Sequence, residues 1–212
     1  KVFAGEYDLS RLTDGLGEHW HLLDNGIKPY SCCHLIHFVF DALDVLRDRR
    51  EFGPADVAEI VVSTNSEPIL SHIGSIVEPG DILGAQFSLP FSVAMRLHHG
   101  GRRMEGGNGF WDYIDIDLKD PALLETARKV RVEVTDDTSR VLTVDEGAGV
   151  AVHLTDGTVL EVDIAHSWGL PENPLSVAQV EKKFHYLVDP VMPAGRPHEI
   201  VAAVADVTSL KS

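Results

Sequence analysis

The chain has 212 residues, 44% of them hydrophobic, enough for one large domain or two small ones around a core of ordinary size. Its 33 acidic and 18 basic residues give a formal net charge of −15, which repels nucleic acid and anionic membranes at long range yet tolerates a small anion wherever a few cations line a cleft. No run of 18 apolar residues and no apolar leader is present, so neither a membrane span nor secretion is expected, and the adjacent Cys32 and Cys33 suit a reducing cytoplasm better than a disulfide framework.

Leu9, Leu12 and Leu16 stand at helical spacing, with Ser10 and Thr13 as caps, and predict a short helix within residues 1–16. Glu18 to Ile27, carrying Trp20, Leu22 and Leu23, reads as a strand. Pro29 disfavours helix at Lys28, so Lys28-Pro29-Tyr30-Ser31 is a turn or extended stretch. His34 to Arg50 is the clearest helix: Leu35, Phe38, Val39, Ala42, Leu43 and Leu46 form one apolar stripe, and Arg47, Arg49 and Arg50 suit the negative end of its dipole. Phe52-Gly53-Pro54 ends it, and the β-branched run Ala58 to Thr64 follows as a strand. Ser88 to His98 is a second strong helix, with Pro90 tolerated in its first turn.

Gly100-Gly101 and Gly106-Gly107 flank a basic loop holding Arg102 and Arg103. A helix at Pro121 to Arg128 leads into a strand at Val130 to Val134. Further strands are expected at 140–144, 149–154 and 158–164, with Asp156-Gly157 as a hairpin turn. Pro171-Glu172-Asn173-Pro174 breaks the pattern, Ser176 to Leu187 is a helix capped by Ser176, and Ile200 to Leu210 forms a last short helix. This order predicts an α+β fold: a small domain of antiparallel sheet plus helices over 20–170, flanked by helical segments at 1–19 and 171–212.

The densest polar cluster runs from Lys28 to His37, where a turn feeds a helix N-terminus. Exposed N–H groups there favour anions and Lys28 adds a full charge, so a carboxylate site competes with an ordinary helix cap. Cys33 could act as nucleophile or proton donor with His34 or His37 as base, or simply pack as a small thiol. Adjacent cysteines fit tetrahedral zinc poorly, so no metal is expected on this cluster. Gln86 and Ser88 can hydrogen-bond at the start of the second strong helix, where Ser88 also fits a plain cap. The 100–107 loop reads either as an anion-binding flap or as a solvated surface loop.

Three segments together resemble the MmgE/PrpD family of dehydratases and decarboxylases. Lys28-Pro29-Tyr30-Ser31-Cys32-Cys33-His34-Leu35-Ile36-His37 is similar to the family's K-P-Y-P-C-C-x-x-x-H run. Ala85-Gln86-Phe87-Ser88-Leu89-Pro90-Phe91-Ser92-Val93-Ala94 is similar to its A-Q-F-S-L-P-Y-x-V-A. Gly169-Leu170-Pro171-Glu172-Asn173-Pro174-Leu175-Ser176, followed by Lys183-Phe184, is similar to its G-x-P-x-N-P-[LM]-[ST] turn and helix. Ser31 departs from the usual Pro and Phe91 from a common Tyr, and His166-Ser167-Trp168-Gly169 replaces a more basic pattern.

The resemblance implies a cofactor-free, metal-independent lyase or isomerase of small di- and tricarboxylates, a 2-methylcitrate dehydratase-like homodimer whose site lies between this α+β domain and a helical domain. It implies Cys33, His34 and His37 as catalytic candidates and Lys28, Tyr30, Gln86, Ser88 and Phe91 as substrate contacts. The helical domain, with its own Asp, His and Lys residues, would come from a partner or from preceding chain; the alternatives are a family epimerase or decarboxylase, or a non-catalytic domain, truncated or serving as a partner subunit that binds a helical protein. The first residue here is not Met, which fits either removal of the initiator or a start within a longer protein.

Overall fold

The strongest apolar stripe in the sequence does organise the core. In the computed structural model, which describes residues 8–64, 70–100, 108–134 and 148–209, helix α1 spans His34–Arg49. Phe38, Val39, Ala42, Leu43 and Leu46 are fully buried on the predicted face. Ile36 and Phe40 are buried as well, because α1 is packed on more than one side, against the sheet and against a second helix. That second helix, α3 at Leu89–His98, is buried at every residue from Leu89 to Leu97. A helix so enclosed needs no polar face. Its start is fixed by Ser88, whose Oγ accepts the Phe91 N–H at 3.0 Å, with Pro90 in the first turn.

Three short helices complete this layer: α2 at Ile82–Gln86, α4 at Phe110–Asp115 and α5 at Pro121–Ala127. Asp81 caps α2 and Asp120 caps α5. At the C-terminal end, α6 spans Val177–Val188 and α7 Arg196–Ala205. Ser176 caps α6 as expected, in a reciprocal box with Gln179. Helix α7 begins four residues before the predicted Ile200, since Arg196-Pro197 pre-sets the helical φ of its first turn.

Four strands form one sheet in the order β2-β1-β3-β4, with β1 at Val57–Thr64, β2 at Val130–Val134, β3 at Ala148–Leu154 and β4 at Val159–Ile164. Ile60 and Val62 pair with Val130 and Val132 on one side and with Val152 and Val150 on the other, and all six are buried. This valine-rich seam is what α1 and its neighbours cover. The β3–β4 hairpin turns at Asp156-Gly157, where Gly157 has φ +87°.

The sheet is mixed rather than antiparallel, because β1 and β2 pair in parallel. Alternation in the sequence fixes which face of a strand is buried but carries no information on direction. A parallel pair needs a long crossover, supplied here by the passage through α2 to α5.

One N-terminal expectation fails and a second is met only by a single 3-10 turn. Glu18 to Ile27 holds a 3-10 turn, His21–Asp24, in place of a strand, and Trp20, Leu22 and Leu23 are 66%, 80% and 76% exposed. A strand must find partners for its N–H and C=O groups, and this stretch pairs with none of the four strands of the sheet. Leu9–Leu12 is a single 3-10 turn capped by Asp8, followed by glycines with φ +69° and +83° at Gly15 and Gly17. The strand expected at 140–144 and residues 101–107 of the basic loop lie outside the described residues. Among the described residues no helix is long and apolar enough to cross a membrane.

One polar contact is set deep in this apolar layer. The Arg96 guanidinium on α3, 1% exposed, donates to Asp44 Oδ2 on α1 at 2.7 Å and lies 4.9 Å from the ring centroids of both Tyr30 and Phe40. Removing Arg96 takes from the buried Asp44 carboxylate its 2.7 Å ion pair, and removing Asp44 takes from Arg96 its counter-charge. Arg96→Met is expected to cost about 3–5 kcal/mol of unfolding free energy, whereas Arg96→Met combined with Asp44→Leu should recover much of it. Urea unfolding of the two variants checks this; equal destabilisation in both would show that packing, not charge, dominates.

Candidate active site

Pro29 and the apolar anchor Tyr30 hold the stretch ahead of α1 in an extended path, and four other segments take up its backbone groups. Ile27 N–H donates to the Gly169 carbonyl at 2.8 Å, Ser31 N–H to Asn108 at 3.0 Å, and Cys33 N–H to Gln86 at 2.9 Å. From α6, Lys183 Nζ reaches the Lys28 carbonyl at 2.6 Å. Gly169 has φ +97°, and a methyl group there would sit 2.2 Å from the Ile27 carbonyl oxygen, so only glycine lets the two turns meet. The Lys28–Cys33 turn is therefore positioned by contacts far apart in sequence.

In front of it lies a cavity of about 460 Å³. Lys28, Cys33, Gln86, Asp112, Lys183 and Tyr186 are among its lining residues. Lys28 Nζ donates to the Cys32 carbonyl at 3.2 Å and Gln86 Nε2 to Ser31 Oγ at 3.1 Å. Tyr186 is held by the Trp111 N–H, which donates to its hydroxyl at 3.0 Å, and by the Trp111 indole, which donates to its carbonyl at 3.0 Å. Its hydroxyl lies 3.4 Å from Asp112 Oδ2. Gly109 is the platform under that phenol: a methyl group there would lie 2.3 Å from the Tyr186 oxygen.

Burial sets the protonation of the groups around the turn. Lys183 is pushed below the ordinary ammonium range by burial and then by the charge of Lys28. Burial raises Cys32 strongly and keeps it a thiol, whereas Cys33 is less buried and faces the cavity. Tyr30 is likewise raised by burial and stays a neutral phenol. His34 is lowered by burial and by Lys28. His37, fully buried, is lowered furthest, again by burial first, and is a neutral imidazole. Its ring nitrogens have no partner in hydrogen-bond geometry, the Cys32 carbonyl approaching the ring without reaching it.

Of the residues singled out in sequence, Lys28, Tyr30, Cys33 and Gln86 line the cavity. His34, His37, Ser88 and Phe91 are not among its lining residues. His34 and His37 stack edge-on behind the turn, with centroids 5.3 Å apart, and His37 meets Tyr30 at 5.1 Å. Ser88 caps α3 and also donates to the Ile76 carbonyl, and Phe91 is fully buried. Sequence reasoning passed over Lys183, Tyr186 and Asp112. Lys183 stands out in the sequence only within a motif, and neither Tyr186 nor Asp112 carries a local signal of a role at a distant turn.

The arrangement gathers two lysine amines, one carboxylate (Asp112), an amide, two thiols and two phenols around one opening, beside an α1 N-terminus that no side chain caps. Such a set is suited to holding a small polyanion by charge and hydrogen bonds. It carries a pH signature of its own. The unfolded chain binds a proton at His37 below about pH 6.5, whereas the folded chain does not until far lower. Folding stability should therefore fall as pH drops below that value, by up to about 1.4 kcal/mol per pH unit from this group. Thermal melts at pH 7 and pH 5 should show a smaller acid loss in His37→Phe than in the parent chain; an identical loss would assign the effect to other groups.

The sequence signature of the MmgE/PrpD C-terminal domain matches residues 30–207. A cis-aconitate decarboxylase of Aspergillus terreus is 24% identical over 203 residues, covering 92% of this chain and 40% of that protein. A cis-aconitate decarboxylase from Aspergillus terreus strain NIH 2624 is 25% identical over 210 residues, covering 96% of this chain and 42% of its own length. The chain thus spans about two fifths of the length of these relatives. With the signature running through the turn, the cavity and the C-terminal helices, the chain belongs to the MmgE/PrpD family and carries its C-terminal domain.

Proposed function

We propose that the chain is the C-terminal part of a carboxylate lyase that acts on a small di- or tricarboxylate. The observation that carries this reading is the pair Lys28 and Lys183, two ammonium groups at one cavity in a chain of net charge −15. Lys28 and Lys183 bind substrate carboxylates, and Gln86 and Tyr186 hydrogen-bond the remaining polar groups. Cys33 is the thiol in reach of the substrate. Neutral His37 and Tyr30 back the turn, with His34 beside them. Proton removal α to a carboxylate would use a base from the family's helical domain, and the reaction would need no metal or cofactor of its own.

Dehydration of a 2-methylcitrate-like substrate is the reading drawn from the motifs. The relatives' name, cis-aconitate decarboxylase, favours loss of CO₂ as a second reading. Both begin with the same bound polycarboxylate. The free cysteines suit a cytoplasmic setting.

The complete enzyme would also cover surface that this chain leaves open. Leu9, Leu12 and Leu16 are 66%, 73% and 71% exposed, and Val177 and Val191 are 76% and 65% exposed. These apolar side chains support docking of the helical domain, and of a second subunit in a homodimer, against residues 8–16 and the C-terminal helices.

Two outcomes are expected. In the complete enzyme, Lys28→Met and Lys183→Met should each weaken carboxylate binding by about 1.5–3 kcal/mol, the scale of a hydrogen bond to a charged group. That is roughly a tenfold to hundredfold rise in Kd for cis-aconitate or 2-methylcitrate. Unchanged affinity in both variants would remove the basis of the proposal. The 212-residue chain alone should bind exposed-hydrophobe dye or self-associate and should not turn these acids over. A dye-silent monomer, or turnover on the order of 1–10³ per second, would show that no second domain is needed.

A further inference from the structure

Outside the cavity, three side chains bring their donor atoms to one point. His19 Nε2 and His21 Nδ1 are 3.2 Å apart, His19 Nε2 and Asp24 Oδ2 3.3 Å, and His21 Nδ1 and Asp24 Oδ2 3.1 Å. Among the described residues this is the one cluster of three or more His, Cys, Asp or Glu side chains with such convergent donors. The triangle is nearly equilateral. Its edges cannot all be hydrogen bonds, because an N–H aimed along one edge lies about 60° away from the other, well outside favourable geometry. A cation at the centre satisfies all three atoms at once. Donors about 2.0–2.1 Å from a tetrahedral metal stand roughly 3.3–3.4 Å apart, close to the spacing found.

The backbone holds the cluster in place by local bonds. His19 N–H donates to Gly15 at 2.8 Å, Leu23 N–H to Trp20 at 2.9 Å, and the Asn25 side chain to the His21 carbonyl at 3.1 Å. The 3-10 turn His21–Asp24 brings the carboxylate back to the imidazoles within five residues. All three side chains are exposed, so water can complete the coordination shell. None of them lines the cavity.

We propose that His19, His21 and Asp24 form a surface site for a borderline divalent transition-metal ion, with Zn²⁺ as its reference ligand. Two imidazoles and a carboxylate suit such ions and disfavour Mg²⁺ or Ca²⁺, which take all-oxygen shells. The ion ties residue 19 to residue 24 and braces a segment that carries exposed Trp20, Leu22 and Leu23 and lacks a sheet partner of its own. The site is structural and departs from the expectation of a metal-free chain without adding a metal to the proposed chemistry.

The test is calorimetric titration of the metal-stripped full chain with ZnCl₂. One ion per chain is expected. His19→Ala, His21→Ala and Asp24→Asn should each weaken binding by more than the roughly 10–100-fold that loss of a mere outer-shell partner costs, with circular dichroism unchanged because the residues are exposed. The double variant Cys32→Ser with Cys33→Ser should bind as the parent does. Co²⁺ should give a visible ligand-field band that His21→Ala abolishes. The proposal is overturned if no heat appears up to about 1 mM Zn²⁺, where binding would be worth barely 4 kcal/mol. It is equally overturned if binding survives all three single substitutions or disappears with the cysteines.

Discussion

A charge that cannot leave the core fixes the geometry of this domain. Arg96 is sealed between α1 and α3, with Asp44 as its ion partner and the faces of Tyr30 and Phe40 against its guanidinium. Taking an arginine out of water costs several kcal/mol and is offset only when ion partner and ring faces are all correctly placed. The contact therefore tolerates one relative placement of the two helices. Because Tyr30 belongs to the turn ahead of α1, the same contact fixes where that turn emerges, and with it one wall of the cavity.

The turn in turn depends on segments that the chain returns from far away. Gly169 offers its carbonyl to Ile27, Asn108 to Ser31, Gln86 to Cys33, and α6 sends Lys183 back to the Lys28 carbonyl. Each bond uses a backbone group that a helix or sheet would otherwise have consumed. The turn can thus stay irregular and keep two ammonium groups beside an uncapped helix N-terminus. The Trp168 N–H donates to Asp41 on α1 at 2.6 Å. That backbone bond, which any residue but proline could donate, locks the turn at 167–168 onto α1.

The distribution of apolar surface belongs to the same picture. The valine seam of the sheet, the inner faces of α1 and nearly all of α3 are buried, whereas the described side chains from Leu9 to Leu23 and helix α6 include no fully buried residue. The chain, which spans about two fifths of its relatives, has a buried core and two stretches of exposed apolar side chains. Those stretches are where a helical domain or a second copy would gain most from contact, by the ordinary hydrophobic effect.

Much of the fold was written locally. The α1 stripe, the Ser88 and Ser176 caps, the Asp156-Gly157 turn and the β-branched runs of β1 to β4 follow from residue type and spacing, because helix and strand periodicity and capping act over a few residues. The Lys28–Cys33 turn was legible too, as a proline-fixed approach to a helix start. The sequence could not say that β1 and β2 run parallel, since both directions bury the same alternate residues. It suggested a strand at Glu18 to Ile27 that had no neighbour to pair with. It singled out Ser88, Phe91 and His37 by their motif, and none of the three is among the residues that line the cavity. Lys183, Tyr186 and Asp112 reach the cavity only because helices distant in sequence close over the turn. Which element a residue joins was decided by its neighbours in sequence; which residues share a wall was decided by contacts between segments far apart in the chain, such as Lys183 on Lys28 and Trp111 on Tyr186, which no local pattern encodes.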